Sequence, residues 1–148
     1  MDIPGVGGGR PRTAESYLLE LEGICRQFGV VLDDTPWLPH EGSRHLALVD
    51  ARVTAPAWPG GVLRVMEDLD MHLGDDPRTQ YIYHYVRHGA SIFGYHRQPG
   101  ERWRDHRHDY AIGGIVSTTS TLREVLAELD VLESGVARPG FPRPPGLP

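Results

Sequence analysis

Residues Arg104 to Asp109 read Arg-Asp-His-Arg-His-Asp, so two imidazoles, two guanidiniums and two carboxylates occupy six consecutive positions. In an extended segment side chains alternate, which sends His106 and His108 to one side and Arg107 to the other. Two imidazoles held together have two distinct chemical uses. Histidine titrates near neutrality, so the pair could divide general-base and general-acid work. Cleavage of RNA through its own 2′-hydroxyl suits this arrangement. One base takes the 2′ proton, one acid protonates the leaving 5′-oxygen, and an arginine stabilises the charge on the phosphorane. In the other use the His-x-His pair binds zinc or another divalent metal, with a third ligand drawn from His96, His84, Asp105 or Asp109. The bland assignment is a solvated loop whose histidines and arginines pair with Glu101, Asp105 and Asp109. Between Arg97 and Arg107 the cations Arg97, Arg102, Arg104 and Arg107 outweigh Glu101 and Asp105, so an anion is expected there.

The chain that must position these groups has 148 residues, 39% of them apolar, and a net charge of −5. That is enough for one sizeable core. All fifteen basic residues are arginines. A net negative charge argues against nucleic-acid binding by the whole surface, so any RNA contact must be local. Cys25 is the only cysteine, which excludes an internal disulfide and a thiolate-rich zinc site. Its flanks suggest a small buried hydrophobe on a helix. Nothing reads as a secretory signal or a membrane span, and a cytoplasmic location is expected. Residues 1–12 and 135–148 are rich in Gly, Pro and Arg and are expected to be disordered tails around a single domain over 13–134.

Thr13 to Phe28 carries Tyr17, Leu18, Leu21, Ile24, Cys25 and Phe28 at the spacing of one buried helical stripe, with Thr13 as N-cap and Gly29 as C-cap. Thr121 to Ser134 repeats the pattern with Leu122, Val125, Leu126, Leu129 and Leu132. It opens with capping-box spacing at Thr121 and Glu124 and ends at Gly135. Val30 to Arg44 reads as a loop. Strands are expected over Leu46 to Thr54, Val62 to Met71, Thr79 to Arg87 and Ser91 to Gln98. His88-Gly89 suits a two-residue hairpin. A regular ladder from that turn would set Tyr85 against Ile92, Tyr83 against Gly94 and Tyr81 against His96. Ile82, His84, Val86, Phe93, Tyr95 and Arg97 would then share the opposite face. The expected fold is α+β, a four-stranded antiparallel sheet with an N-terminal and a C-terminal helix packed on it.

The tyrosine-rich strand Tyr81-Ile82-Tyr83-His84-Tyr85, the run Phe93-Gly94-Tyr95-His96, and Asp105-His106-Arg107-His108 before a leucine-rich helix resemble the TumE family of bacterial toxins. Val49 to Met71 extends the likeness, which covers about Val49 to Ser134. The family usually shows Arg-Tyr-Asp-Asn at the end of the fourth strand, where this chain has Gly94-Tyr95-His96-Arg97. A lysine typically precedes the tetrad, where Arg102 or Arg104 stands here. The helix Thr13 to Phe28 looks like an addition. The resemblance implies a toxin with a cognate antitoxin partner, acting on RNA or translation. Combined with the residues, it yields an expected metal-independent endoribonuclease with no cofactor and no membrane association. Its catalytic candidates are His106, His108, Arg107 and Tyr95, its phosphate binders Arg104, Arg102 and Arg97, and its positioning groups Tyr81 and His96. A non-catalytic protein-binding module and a metal-dependent hydrolase are the alternatives.

Overall fold

Both expected helices form where their apolar stripes predict them. The computed structural model describes residues 12–33, 37–39, 42–98, 100 and 104–134. Helix α1 (Ala14–Gln27) starts at Thr13, whose hydroxyl accepts from the Ser16 amide, and is followed by Gly29 at φ 66°. Helix α2 (Leu122–Ser134) starts at Thr121, whose hydroxyl oxygen accepts the Glu124 amide at 3.2 Å. The expected stop at Gly135 and the expected tails, Arg12 apart, lie outside the described residues. Cys25 is buried in α1 and its thiol is pushed up to about 11, by burial first and then by Glu22. No helix among the described residues is long and apolar enough to cross a membrane.

The sheet is larger than the expected four strands. Eight antiparallel strands are described: β1 (Val31–Asp33), β2 (Trp37–Pro39), β3 (Leu46–Thr54), β4 (Gly61–Asp70), β5 (Arg78–Arg87), β6 (Ala90–Arg97), β7 (Asp105–Asp109) and β8 (Gly114–Ser117). Seven run in the order β1-β3-β4-β5-β6-β7-β8, and β2 pairs with β3 beside β1. The four expected strands are β3 to β6, each within about two residues of its predicted bounds. Of the additions, β1 and β2 fall inside the expected loop and are three residues long. The Arg-Asp-His-Arg-His-Asp stretch becomes β7, despite residue types that sheets disfavour. Such segments are strands because a neighbour offers its ladder, and their own propensity contributes little.

The hairpin turn is the expected one. His88 at φ 50° and Gly89 at φ 79° give the double positive φ of a type I′ turn, flanked by the Arg87↔Ala90 pair. The ladder beyond it is irregular: Val86 pairs with Ser91, but Tyr85 pairs with Phe93, leaving Ile92 in a β-bulge. This overturns the expected register. Tyr83 faces Tyr95, Tyr81 faces Arg97, and Ile82 faces His96.

Both helices lie on the face that presents Tyr81, Tyr83, Tyr85, Phe93 and Tyr95, with which they share one core. That core is crossed by charge. Glu67 accepts from Tyr17 of α1 at 2.5 Å and from Tyr83, and Arg78 donates to Tyr83 at 2.9 Å. Burial pushes the Glu67 carboxyl up against the opposing pull of its two tyrosine hydrogen bonds. At one end, Asp76 accepts from Arg78 at 2.8 Å and from Arg97 at 2.9 Å. Burial raises the Asp76 carboxyl, but the Arg78 hydrogen bonds and charge and the Arg97 hydrogen bond outweigh it and hold it at about 2.

A carboxylate lowered in the folded state stabilises the fold above its unfolded pKa and loses that contribution as pH falls through the folded value. In acid titrations followed by circular dichroism, the wild type should therefore lose stability from about pH 4 down to about pH 2. Asp76→Asn should be less stable at neutral pH and show a shallower loss in that window. An identical acid profile for the two proteins would assign the loss to other carboxylates.

Candidate functional site

Strand alternation and the bulge together decide which side chains reach the helix-free face. With Ile92 out of the β5–β6 ladder, His96 turns to the face opposite Tyr81 and Tyr83; the β6–β7 ladder then sets His96 level with His106, and one strand repeat further Gly94 lies opposite His108. Three imidazoles converge. Ring centroids are 5.3 Å apart for His96 and His106, 5.2 Å for His96 and His108, and 4.8 Å for His106 and His108. One ring nitrogen from each lies within 4.8 Å of the others. Tyr110 stacks on His108 with planes 9° apart and also meets His84, which forms one wall of the cluster.

The cluster is partly sheltered: His106 is 4% exposed, His96 and His108 are half-buried, and Nε2 of His96 is buried with no hydrogen-bond partner among the described residues. Burial first, and then the neighbouring His106, His108 and His84, push the His96 imidazole down to about 4, so it is neutral at physiological pH. His84 is lowered by burial, by Arg64 and by His108. A Cβ on Gly94 would lie 3.0 Å from His96 Nε2 and 3.6 Å from His84 Nδ1, so the missing side chain clears space between the rings.

Other expected site residues are on the far face. Arg107 is 8% exposed and donates to Glu128 of α2 at 2.7 Å, while Tyr95 donates to the other Glu128 oxygen at 2.5 Å. Arg97 donates to Asp105 at 2.6 Å and to Asp76, and its guanidinium lies 5.1 Å over the ring of the fully buried Tyr81. Arg107 and Tyr95 bind the sheet to α2, whereas Arg97 ties β6 to β7, to Asp76 and to the Arg78 carbonyl; strand alternation puts all four residues on the face opposite His96, His106 and His108. Arg104 is exposed just before β7, where its carbonyl accepts from the Gln98 amide at 3.0 Å. Arg102 lies outside the described residues. The carboxylates Asp105 and Asp109 also turn away from the imidazoles: Asp105 binds Arg97, and Asp109 lies 3.6 Å from Arg107.

Sequence reasoning missed four contributors, Arg52, Arg64, Tyr110 and Glu128. Arg52, Arg64, His84, Gly94 and His108 are successive register partners across β3 to β7, so two exposed guanidiniums share a transverse row with the imidazoles. Arg64 is partly offset by Asp50 at 3.7 Å. Their alternation within β3 and β4 was visible, but their alignment with β7 depends on four ladders. Tyr110 follows the strand by one residue. Glu128, 1% exposed, interrupts the leucine stripe of α2, a signal of a buried polar partner that could have been read.

A family model described as Toxin TumE matches residues 41–133. No curated protein and no solved structure gives a significant match.

Removing one partner of a buried ion pair strands the other. Arg107→Ala should cost about 3–5 kcal/mol in denaturant unfolding. The double variant Arg107→Met, Glu128→Leu should recover much of that loss, because it leaves no unpaired buried charge. A double variant that is folded and stable but has lost activity would instead place Arg107 in the chemistry.

Proposed function

The chain belongs to the TumE toxin family, and from that premise we propose that it is a ribonuclease toxin working through the imidazole cluster on its helix-free face. The observation that carries this reading is the convergence of His96, His106 and His108 from two strands onto a face that the helices leave clear. These are the groups best suited, among those described there, to move protons or polarise a phosphodiester near neutral pH.

RNA as the substrate is supported by the exposed guanidiniums of Arg52 and Arg64 in line with His84, which can hold phosphates although Asp33 and Asp50 stand beside them and the net charge is −5. The roles expected for Arg107 and Arg97 pass to these arginines and to exposed Arg104, since Arg107 is engaged by Glu128 of α2 and Arg97 by Asp105 and Asp76 on the opposite face. Tyr110, stacked against His108, replaces buried Tyr95 and Tyr81 as the aromatic surface on which a base can rest. A cognate antitoxin is the protein partner. Outer strand β8 and its approach expose Ile112 (81%) and Val116 (59%), apolar surface that a partner would cover. The same exposed edge favours the second reading, a non-catalytic module that acts by docking a protein.

Expression of this chain without its partner in bacteria should slow growth and fragment cellular RNA. Replacing His106 and His108 together by alanine should lower cleavage by about 10² or more at equal abundance, and Arg64→Glu should weaken RNA binding. Growth arrest with intact RNA would favour the docking module. Undiminished cleavage by the double histidine variant would remove the cluster from the reaction.

A further inference from the structure

We propose that His96, His106 and His108 form a three-imidazole site for one borderline divalent cation, with zinc the best-matched occupant. Four ligands could have completed the His-x-His pair by sequence, and three of them fall away. Asp105 and Asp109 lie on the opposite face with Arg97 and Arg107. His84 is one strand further, 6.4 Å from His96 between ring centroids, and its Nε2 is in hydrogen-bond contact with Ser91. His96 remains, in register with His106.

The buried Nε2 of His96, which has no partner among the described residues, points to a ligand, because a buried imidazole nitrogen without a partner is unfavourable and coordination would satisfy it. Gly94 supplies the room. A side chain there would stand 3.0 Å from that nitrogen. Tetrahedral zinc with bonds of about 2.0–2.1 Å sets ligand nitrogens about 3.3 Å apart. The observed spread of up to 4.8 Å closes to that by modest rotation of the rings. The donor set also selects the ion, since three neutral nitrogens without a carboxylate suit zinc, copper, cobalt or nickel and disfavour magnesium and calcium. Three protein ligands leave a fourth position for water or a phosphate oxygen, the pattern of a working rather than a purely structural zinc.

The site stands on its own geometry; only the use of the ion, polarising the scissile phosphate, rests on the ribonuclease reading. It replaces the expected metal-free division of labour, with His106 and His108 becoming ligands.

The test uses the purified full chain, stripped with chelator and reloaded with zinc, with metal counted by elemental analysis. Cobalt(II) added to the stripped protein serves as a spectroscopic probe. We expect one equivalent of zinc and the visible absorption of tetrahedral cobalt. His96→Ala, His106→Ala and His108→Ala should each weaken binding by about 100-fold or more. Gly94→Ala, which keeps every ligand, should fold and bind less tightly. Thermal melts identify any variant that has lost its fold, and zinc should raise the melting temperature of the wild type but not of folded His96→Ala. Zinc binding unchanged in His96→Ala, or less than stoichiometric zinc in the wild type, overturns the site. RNA cleavage that persists in chelator would overturn the catalytic use of the metal while leaving the ribonuclease, whereas stoichiometric zinc with no RNA cleavage would support the site and overturn the ribonuclease.

Discussion

Ile92 stands out of the β5–β6 ladder, and every side chain from Phe93 onward takes its face from that one unpaired residue. Because strand side chains alternate with period two, one extra residue exchanges the entire inward set of β6 for the outward set. Phe93, Tyr95 and Arg97 turn toward the helices, and Gly94 and His96 turn away. The separate, regular β6–β7 ladder sets His106 and His108 beside His96, and Arg107 beside Tyr95, so the shift at Ile92 decides only which face of the sheet these groups share with β5.

The helix-covered face that results is a polar interior bound by shared carboxylates. Glu67 joins Tyr17 and Tyr83, Glu128 joins Tyr95 and Arg107, and Glu133 joins Tyr85 and Arg87. Each connects a helix to a strand at a defined place. Buried ion pairs of this kind add little net stability over apolar packing, but leaving one half unpaired is expensive, so they penalise helices docked in another position. Tyrosine rings fill the volume while their hydroxyls deliver hydrogen bonds to carboxylates from α2 and β4. Burial and the adjacent Glu128 keep the Tyr95 hydroxyl raised and protonated as a donor.

The two faces therefore divide the chemistry of one short segment. Within β7, the odd-numbered Asp105, Arg107 and Asp109 serve the fold, and the even-numbered His106 and His108 meet His96 where no helix covers them. Charges are compensated on the first face. On the second, imidazoles gather beside a glycine, with Arg64 and Arg52 in line across the sheet. A chain of net charge −5 in this way gathers an imidazole-rich surface with two exposed guanidiniums in line with it.

The amphipathic stripes of α1 and α2, their caps at Thr13 and Thr121, the type I′ turn at His88-Gly89, the four central strands and the shared side of His106 and His108 were legible in the chain. So was the family. Each depends on residues within a few positions of one another, or on a motif. The short strands β1, β2, β7 and β8, the bulge at Ile92, the choice of His96 over Asp105, Asp109 or His84, and the burial of Arg107 and Arg97 were decided by tertiary structure. Alternation tells which side chains of one strand share a side. Which sides coincide on neighbouring strands is set by ladder register, and which side the helices cover is set by where their apolar stripes meet the tyrosine-lined core, with Glu67, Glu128 and Glu133 fixing the docked position, both of them free energies of contact between distant segments.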